Sequence, residues 1–231
     1  MDRHDAAPAG ADAPGWVATV LRDRILAGAL PPGSPLREVA IADEFGVSRN
    51  TLRVALLMLA GDNVVEIQRH RGARVRVMSP EDIRDIFIVR RTLELRAIEE
   101  SGQASPASLA RLSAAADEVE ASVIADDWAR VATAGLSFHQ SVVGLLGSPR
   151  LDAIFLPIVA QIRLAYGAVH DQADFHLPFA SRDREICDLV AAGSRAAAGA
   201  MLRGYLDEAE SAFVELVSLG SDESAPRDGG R

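Results

Sequence analysis

The sequence lacks lysine, contains a single cysteine and has no long apolar run. Cys187 alone cannot form an intramolecular disulfide or a cysteine-built zinc knuckle, and its apolar helical surroundings favour a buried structural thiol over a redox role. Because no apolar run reaches the roughly 18 residues of a membrane span, we expect no membrane partner. Residues 1–15 lack the basic-then-apolar order of a signal peptide, so we expect a disordered tail and a cytoplasmic protein.

The net charge of −9 is distributed unevenly along the 231 residues. Residues 16–78 contain nine arginines and six acidic residues, whereas residues 79–231 contain 14 arginines and 24 acidic residues. A basic segment is thus joined to an acidic one. This asymmetry indicates that the first segment alone contacts nucleic acid.

Hydrophobic period and turn signals predict three helices in residues 16–78. The expected spans are Trp16 to Ala29, Arg37 to Phe45, and Ser48 to about Gly61. A proline-rich turn ends the first helix, and Gly46 allows the left-handed turn that ends the second. Ser48 is a favourable N-cap for the third helix. The apolar positions of that helix at core spacing are Leu52, Ala55, Leu56 and Leu59.

Two short strands are predicted after the third helix, at residues 64–68 and 74–77. In the second strand valines alternate with arginines, so one face is expected to pack inward and the other to present guanidinium groups outward. The tip between the strands, residues 69–73, is basic. Three helices followed by a basic hairpin predict a winged helix-turn-helix domain over residues 16–78.

The third helix has the features of a DNA recognition helix. Arginine reads guanine and asparagine reads adenine by paired hydrogen bonds in the major groove, and Arg49 and Arg53 share one helix face. The wing arginines are expected to enter the minor groove or clamp phosphates. The expected DNA-binding residues are Arg37, Ser48, Arg49, Asn50, Thr51, Arg53, Arg69, His70, Arg71, Gly72 and Arg74. The alternative is a winged helix used for protein contact, with these arginines forming a solvated face.

From Ser79 onward the sequence has helical period and no strand signal. Ser79-Pro80-Glu81 caps a new helix and marks the expected domain boundary. Six or seven helices of about 12–22 residues are predicted up to residue 220, with a break at His170–Pro178. Pro157 is expected to kink a helix and not to end it. Residues 221–231 are polar and are expected to be disordered, and the fold class is mainly α.

The sequence contains no constellation typical of an enzyme. It has no phosphate loop, no Gly-x-Ser-x-Gly and no His-Glu-x-x-His. The paired acids Glu99-Glu100 and Asp126-Asp127 lie at predicted helix ends, where capping and solvation explain them. A binding protein is therefore expected.

The segment from Leu26 to Val77 resembles the GntR family of bacterial regulators. The motifs that carry the resemblance are Ala-Gly-x-Leu-x-Pro-Gly at 27–33, Gly-Val-Ser-Arg-x-x-x-Arg at 46–53 and Arg-Gly-Ala-x-Val at 71–75. Two departures concern the operator sequence: the usual Thr-Pro-Val is Asn50-Thr51-Leu52, and the usual Glu-Ala is Val54-Ala55. The resemblance implies that Arg49 and Arg53 read bases and phosphates of double-stranded operator DNA, supported by Thr51 and the wing tip.

Residues 79–220 resemble the FadR-type, FCD-like effector domain of the same family, an antiparallel bundle of six or seven helices. The resemblance rests on residues 89–94, on Phe138-His139 with residues 147–151, and on residues 185–193. Many such domains hold a divalent metal through an Asp, the His of Phe-His and two later histidines. These positions are here Gly135, His139, Asp183 and Tyr205. We therefore expect no cofactor, the alternative being a divalent metal at His139 and Asp183.

If the family geometry holds, the bundle contains a cavity for a small-molecule effector. The expected effector-binding residues are Arg90, Glu94, Gly135, His139, Asp183 and Tyr205. Arg90 and Glu94 lie one turn apart, so a structural ion pair is one interpretation. The other is that Arg90 binds a carboxylate-bearing metabolite with help from Tyr205. His170 and His176 are expected at the surface, with replacement metal ligands as the alternative.

The apolar residues Ile83, Ile86, Phe87, Leu109 and Leu112 are expected to offer a dimer face. Since one recognition helix reads few base pairs, a homodimer on a palindromic operator is expected. The sequence thus predicts a DNA-binding transcription regulator, expected to be a repressor, whose operator affinity depends on an effector. The alternatives are a metal-containing sensor of the same family and a winged-helix interaction module without specific DNA binding.

Overall fold

The computed structural model describes residues 12–69, 71–166, 169 and 172–223. The chain forms two compact units, and the division between them falls between Val77 and Met78. Within the described ranges, no helix is both long and apolar enough to cross a membrane.

The first unit contains three helices and a three-stranded antiparallel sheet. Its elements are α1 Ala13–Leu26, β1 Pro35–Leu36, α2 Glu38–Phe45, α3 Arg49–Gly61, β2 Val65–Gln68 and β3 Gly72–Val75. The strand order is β1-β3-β2. The core of the unit lies where α1 packs on α3, and the four predicted core positions of α3 are all buried. The order of elements is that of a winged helix-turn-helix domain.

The first helix starts and ends three residues before its predicted bounds. The carboxylate of Asp12 accepts a hydrogen bond from the Gly15 amide at 3.1 Å, and Pro14 lies in the first turn, where its missing N–H costs nothing. Gly28 has a φ of 76°, which lets the chain leave the helix after Leu26. Residues 13–15 are therefore helical, and the prediction of a disordered tail to residue 15 is wrong for them.

The sheet differs from the predicted hairpin in two respects. A third strand, β1, pairs with β3 through Pro35↔Arg74 and Leu36↔Ala73. The strand β3 ends at Val75, so the predicted inward-facing alternation holds at Val75, which is fully buried, and fails at Val77, which is 57% exposed. The wing is thus shorter than predicted at its carboxyl end.

The second unit is a helical bundle. Its helices within the described ranges are α4 Pro80–Glu100, α5 Pro106–Ile124, α6 Trp128–Gly144, α7 Pro149–Ala165, α8 Gln172–Ala191 and α9 Arg195–Glu223. Ser79 and Asp82 cap α4 reciprocally, as the sequence at this boundary indicates. The main packing pairs are α4 with α9 and α5 with α6 and α8.

Cys187 is a free, buried thiol in α8 whose pKa is raised by burial.

Two predictions for the second unit are wrong in part: the break at His170–Pro178 fails from Gln172 onward, and the disordered tail from residue 221 fails for its first three residues. The helix α8 already begins at Gln172 and contains Pro178, and α9 continues to Glu223, so residues 221–223 are helical. His176 and Ala180 are buried on one face of α8, and this packing maintains the helix despite the proline. His176 is therefore not a surface residue, while His170 and residues 224–231 lie outside the described residues.

The predicted dimer face belongs to the core of the second unit. Ile83, Ile86, Phe87 and Leu112 are each at most 3% exposed, and Leu109 is half-buried. Phe87, for example, contacts Phe213 of α9 at a ring-centre distance of 6.0 Å. An apolar stripe at helical spacing has the same appearance whether it packs inside the bundle or against a second chain. The structure assigns this one to the bundle interior.

Candidate DNA interface and sensor cavity

The first turn of α3 presents polar side chains to solvent. Ser48 caps the helix: its Oγ accepts a hydrogen bond from the Thr51 amide at 3.1 Å and lies 2.8 Å from Thr51 Oγ1. Gly46 ends α2 with a φ of 62°, a left-handed conformation that allows the tight turn between the two helices. Arg49 and Asn50 are exposed immediately after the cap. Thr51, half-buried and bonded to Ser48, is placed to support the cap.

Arg53 is held by Glu38, which was not predicted as a site residue from the sequence. Its Nε donates a hydrogen bond to Glu38 Oε2 at 2.9 Å, while the Arg53 side chain remains 66% exposed. Glu38 is the first residue of α2, so this ion pair joins the two helices of the helix-turn-helix. Arg37, at the N-cap position of α2, is exposed.

The wing has fewer free cations than predicted. Arg74 contacts Glu66 Oε2 through Nε at 2.9 Å and Nη2 at 2.7 Å. Hydrogen bonds from Gln68 and from Arg74 lower the pKa of Glu66, so this carboxylate is charged and neutralises the guanidinium. Arg69 and Arg71 are exposed.

The wing tip turns at Gly72, whose φ of 82° favours glycine. His70 lies outside the described residues. Of the expected wing contacts, the exposed Arg69 and Arg71 therefore remain available for DNA, while Arg74 is engaged by Glu66.

In the second unit, α4, α5, α6, α8 and α9 enclose a cavity together with Tyr166, which follows α7. Its volume of about 20 Å³ suffices for one water molecule. Apart from two tyrosines, the polar side chains that line it belong to Arg90, His139, His176 and Asp183. Gly135 also lines it. Its aromatic and aliphatic lining residues are Val119, Val131, Tyr166, Phe175, Phe179, Ala180, Tyr205, Ala209 and Phe213. Five of the six expected effector residues thus meet at one cavity, and Glu94 adjoins it.

Glu94 organises the polar floor of the cavity. Its Oε1 accepts a hydrogen bond from Arg90 Nε at 2.7 Å, and its Oε2 lies 2.7 Å from His139 Nδ1. Burial opposes ionisation of Glu94, but the charge of Arg90 and the contact with His139 outweigh burial and lower its pKa. Because the ionised carboxylate can only accept, His139 Nδ1 carries the proton and Nε2 exposes a lone pair. Burial lowers the pKa of His139, so the ring is mainly neutral at pH 7.

Three buried polar atoms at this cavity have no hydrogen-bond partner among the described residues. They are Arg90 Nη2, His139 Nε2 and Asp183 Oδ1. Burial raises the pKa of Asp183 well above its usual range, which favours a protonated carboxyl that can donate. Each unsatisfied buried group costs about 1–3 kcal/mol, so these atoms require a partner, and a water molecule or a polar group of a ligand in the cavity could supply it.

The donor set does not fit the divalent metal that many related domains hold. Gly135 has no ligating side chain, and a Cβ added there would lie 3.7 Å from Asp183 Oδ2. At the last expected position, burial raises the pKa of Tyr205 well above its ordinary value and keeps the phenol neutral. Among the described residues, no group of three or more His, Cys, Asp or Glu is placed to hold a metal. The buried guanidinium of Arg90 supplies a positive charge instead.

An aromatic cluster lines the cavity beside these polar residues. Phe175 lies 5.0 Å from Phe213 and 6.0 Å from Tyr166 between ring centres, and Phe179 lies 5.1 Å from Tyr205. This cluster was not predicted from the sequence, although the spacing of Phe175 and Phe179 is that of one helix face.

The environment of His176 is also aromatic, because its ring lies 4.7 Å from that of Tyr166. Burial and then the charge of Arg163 lower the pKa of His176 to about 4, and its Nε2 lies 3.2 Å from Gln172 Oε1. A neutral His176 that contacts aromatic rings and a glutamine is a packed core residue.

Both units match known families. Residues 16–75 match the family described as bacterial regulatory proteins, gntR family, and residues 85–208 match the FCD domain. The chain belongs to the GntR family of bacterial regulatory proteins. The GntR match lies in the first unit, which has the winged helix-turn-helix fold, and the FCD match lies in the second unit.

Individual relatives of this GntR regulator agree with the family assignment. A GntR protein structure from Rhodococcus sp. RHA1 is 34% identical, with a TM-score of 0.83 over 89% of this chain and 99% of that one. The E. coli McbR/YncC structure shares the fold at 17% identity, with a TM-score of 0.74 over 87% of this chain and 97% of that one. The gluconate operon transcriptional repressor of Bacillus licheniformis is 32% identical over 55% of this chain and 52% of its own length. The chain thus spans about half the length of this curated relative.

Proposed function

We propose that this GntR regulator is a repressor whose affinity for a palindromic operator is controlled by a small carboxylate bound in the cavity of the second unit. The observation that carries the proposal is that three side chains lining that cavity each have a buried polar atom without a partner among the described residues: Arg90 Nη2, His139 Nε2 and Asp183 Oδ1. The relatives include operon repressors, which supports the direction of control.

The DNA contacts of this proposal come from α3 and the wing tip. Arg49 and Asn50 are exposed at the amino end of α3, where base-reading side chains enter the major groove. Arg53, held by Glu38, is placed for a phosphate or base, and Arg71 for the phosphate backbone. Arg53 and Arg74 are each paired with a carboxylate, Glu38 and Glu66, so each contributes less to DNA binding than it would without that partner.

The proposed contacts to the effector come from polar atoms that do not pair with Glu94. Glu94 fixes the Nε side of the Arg90 fork, so Nη2 remains free for an oxygen of a carboxylate. A protonated Asp183 donates a hydrogen bond to the carboxylate, whereas the lone pair of His139 Nε2 accepts one from a water molecule held beside the ligand, because a carboxylate has no proton to donate. A ligand that satisfies these atoms removes the cost of leaving them unpaired, and it changes operator affinity if it favours one conformation of the regulator.

The test of this function is operator release by small acids. We expect members of a panel of monocarboxylates to raise the melting temperature of the full chain and to change its affinity for operator DNA in fluorescence anisotropy. The variant Arg90→Lys keeps the charge beside Glu94 but loses the planar fork, so it should bind the operator normally and lose at least tenfold in effector affinity. Unchanged effector affinity in Arg90→Lys would contradict a carboxylate site at Arg90.

We also propose that the regulator is a twofold dimer, since one recognition helix reads too few base pairs to define a genomic site. Sedimentation at micromolar concentration should give the mass of two chains, and nuclease footprinting should give a symmetric protected site. A monomer with an asymmetric footprint would overturn this part of the proposal.

The sensor is further proposed to work without a transition metal. Protein purified without chelator should contain far less than one zinc or nickel per chain, because Gly135 and Tyr205 remove two of the expected ligands. The matched variant Gly135→Asp/Tyr205→His restores both ligand types and should gain metal in elemental analysis. Stoichiometric metal in the wild-type chain that is lost in His139→Ala would contradict the proposal.

A further inference from the structure

The wall of the sensor cavity constrains the body of the effector as well as its anionic group. The floor offers three unpartnered polar atoms, whereas five aromatic rings, those of Tyr166, Phe175, Phe179, Tyr205 and Phe213, line the rest together with small aliphatic side chains. A polyhydroxylated acid would place several hydroxyl groups against these rings, whose only hydrogen-bonding groups are the hydroxyls of Tyr166 and Tyr205. Each hydroxyl buried without a partner weakens binding.

The rings already contact one another in the orientations that aromatic ligands use. Phe175 and Phe213 are tilted by 67° at 5.0 Å, and Phe179 and Tyr205 by 58° at 5.1 Å between ring centres. Edge-to-face and tilted pairs at these distances are the favourable arrangements of aromatic rings. A ligand ring placed among them would exchange ring–ring contacts within the protein for equivalent contacts with the ligand.

The present cavity of about 20 Å³ admits a water and not a ring, so side chains must move when the effector binds. The floor residues Arg90, His139 and Asp183 are each at most 3% exposed. Phe175 and Phe179 on α8, in contrast, are only half-buried. These two rings line the cavity and are partly exposed to solvent, so they have room to swing aside.

We infer that the effector of this regulator is a monocarboxylate whose body is an aromatic ring, with its carboxylate on Arg90 and its ring among Phe175, Phe179 and Tyr205. The inference rests on the proposed function, namely that the cavity binds a carboxylate. It adds the chemical class of the group to which that carboxylate is attached. It separates this regulator from the relatives named for a gluconate operon, because gluconate is a polyhydroxylated acid.

Three probes with one carboxylate each test the inference on the full chain by calorimetric titration: benzoate, cyclohexanecarboxylate and gluconate. We expect saturable binding of benzoate, several-fold weaker binding of cyclohexanecarboxylate, which has the same size but no π system, and no binding of gluconate. The variant Phe179→Leu keeps an apolar side chain and removes the ring. It should weaken benzoate roughly three- to tenfold and leave cyclohexanecarboxylate unchanged.

The outcomes distinguish the ligand class from the carboxylate site. Gluconate binding that is lost in Arg90→Lys, without benzoate binding, would overturn the aromatic class and leave the carboxylate site intact. Equal affinity for benzoate and cyclohexanecarboxylate, or an unaltered benzoate affinity in Phe179→Leu, would also overturn the aromatic class. If none of the three probes binds, both the inference and the carboxylate site fail.

Discussion

Replacing Glu94 by Gln is expected to lower the free energy of unfolding of the second unit by about 3–5 kcal/mol. Glu94 is fully buried, and its two oxygens lie 2.7 Å from Arg90 Nε and from His139 Nδ1. Glutamine keeps the shape of the side chain but removes its charge, so the buried guanidinium loses its counter-ion. Since whole domains are stable by about 5–15 kcal/mol, this loss is a large fraction of the total.

Fluorescence can isolate the unit in which this loss occurs. Trp16 and Trp128 are the two tryptophans of the chain and lie in different units, so Trp128 alone reports the second unit in a Trp16→Phe background. The matched control is Arg90→Met/Glu94→Met, which leaves no buried charge unpaired and should recover most of the stability in urea unfolding. A loss below about 1 kcal/mol in Glu94→Gln would be typical of an exposed pair and would contradict the buried one.

The same network predicts how stability depends on acidity. The pKa of Glu94 is lower in the folded chain than its ordinary value of 4.5, because the charge of Arg90 and the contact with His139 outweigh burial. Its stabilising contribution is therefore fully present above pH 4.5 and is lost as the pH falls through the folded pKa. Glu94→Gln should lack this acidic step in a series of urea titrations.

The helix-turn-helix could be predicted from the sequence because its signals are local. The N-cap at Ser48, the left-handed turn at Gly46 and the apolar spacing of α3 each depend on a few neighbouring residues. The strand β1 could not be predicted, since its two residues become a strand only by pairing with β3, almost 40 residues later. Glu38 was missed for a similar reason: its partner, Arg53, lies in another helix.

The polar floor of the cavity was predicted as a set of residues and not as a network. The family resemblance brought Arg90, His139 and Asp183 together, but the sequence left open whether Arg90 pairs with Glu94 or binds a ligand. The structure shows that the pair exists and that Nη2 is left unpartnered, so the two interpretations are compatible. The aromatic cluster joins residues as distant as Phe175 and Phe213, a contact that no local period indicates.

Replacing Arg49 by Ala is expected to weaken operator binding by about 1–3 kcal/mol, or roughly 5- to 150-fold, and to relax specificity at one base pair. Arg49 is exposed in the first turn of α3, and the Ser48 cap fixes the backbone from which it projects. A guanidinium in this position can bind O6 and N7 of one guanine with two parallel hydrogen bonds. Arg49→Lys keeps the charge and loses the fork, so it should recover phosphate attraction without recovering the base preference.

Charge and base readout can be separated by the choice of controls. Arg84→Ala removes an exposed arginine from the second unit, where it pairs with Glu81 at 3.2 Å, and should leave operator affinity unchanged. Arg71→Ala at the wing should weaken all duplexes alike and reduce the salt slope by about one. The measurement is fluorescence anisotropy at several salt concentrations, on an operator selected from random duplexes and on its single base-pair variants. If Arg49→Ala behaves like Arg71→Ala, with every variant weakened equally, Arg49 contacts the backbone and the reading of bases belongs to Asn50 or Arg53.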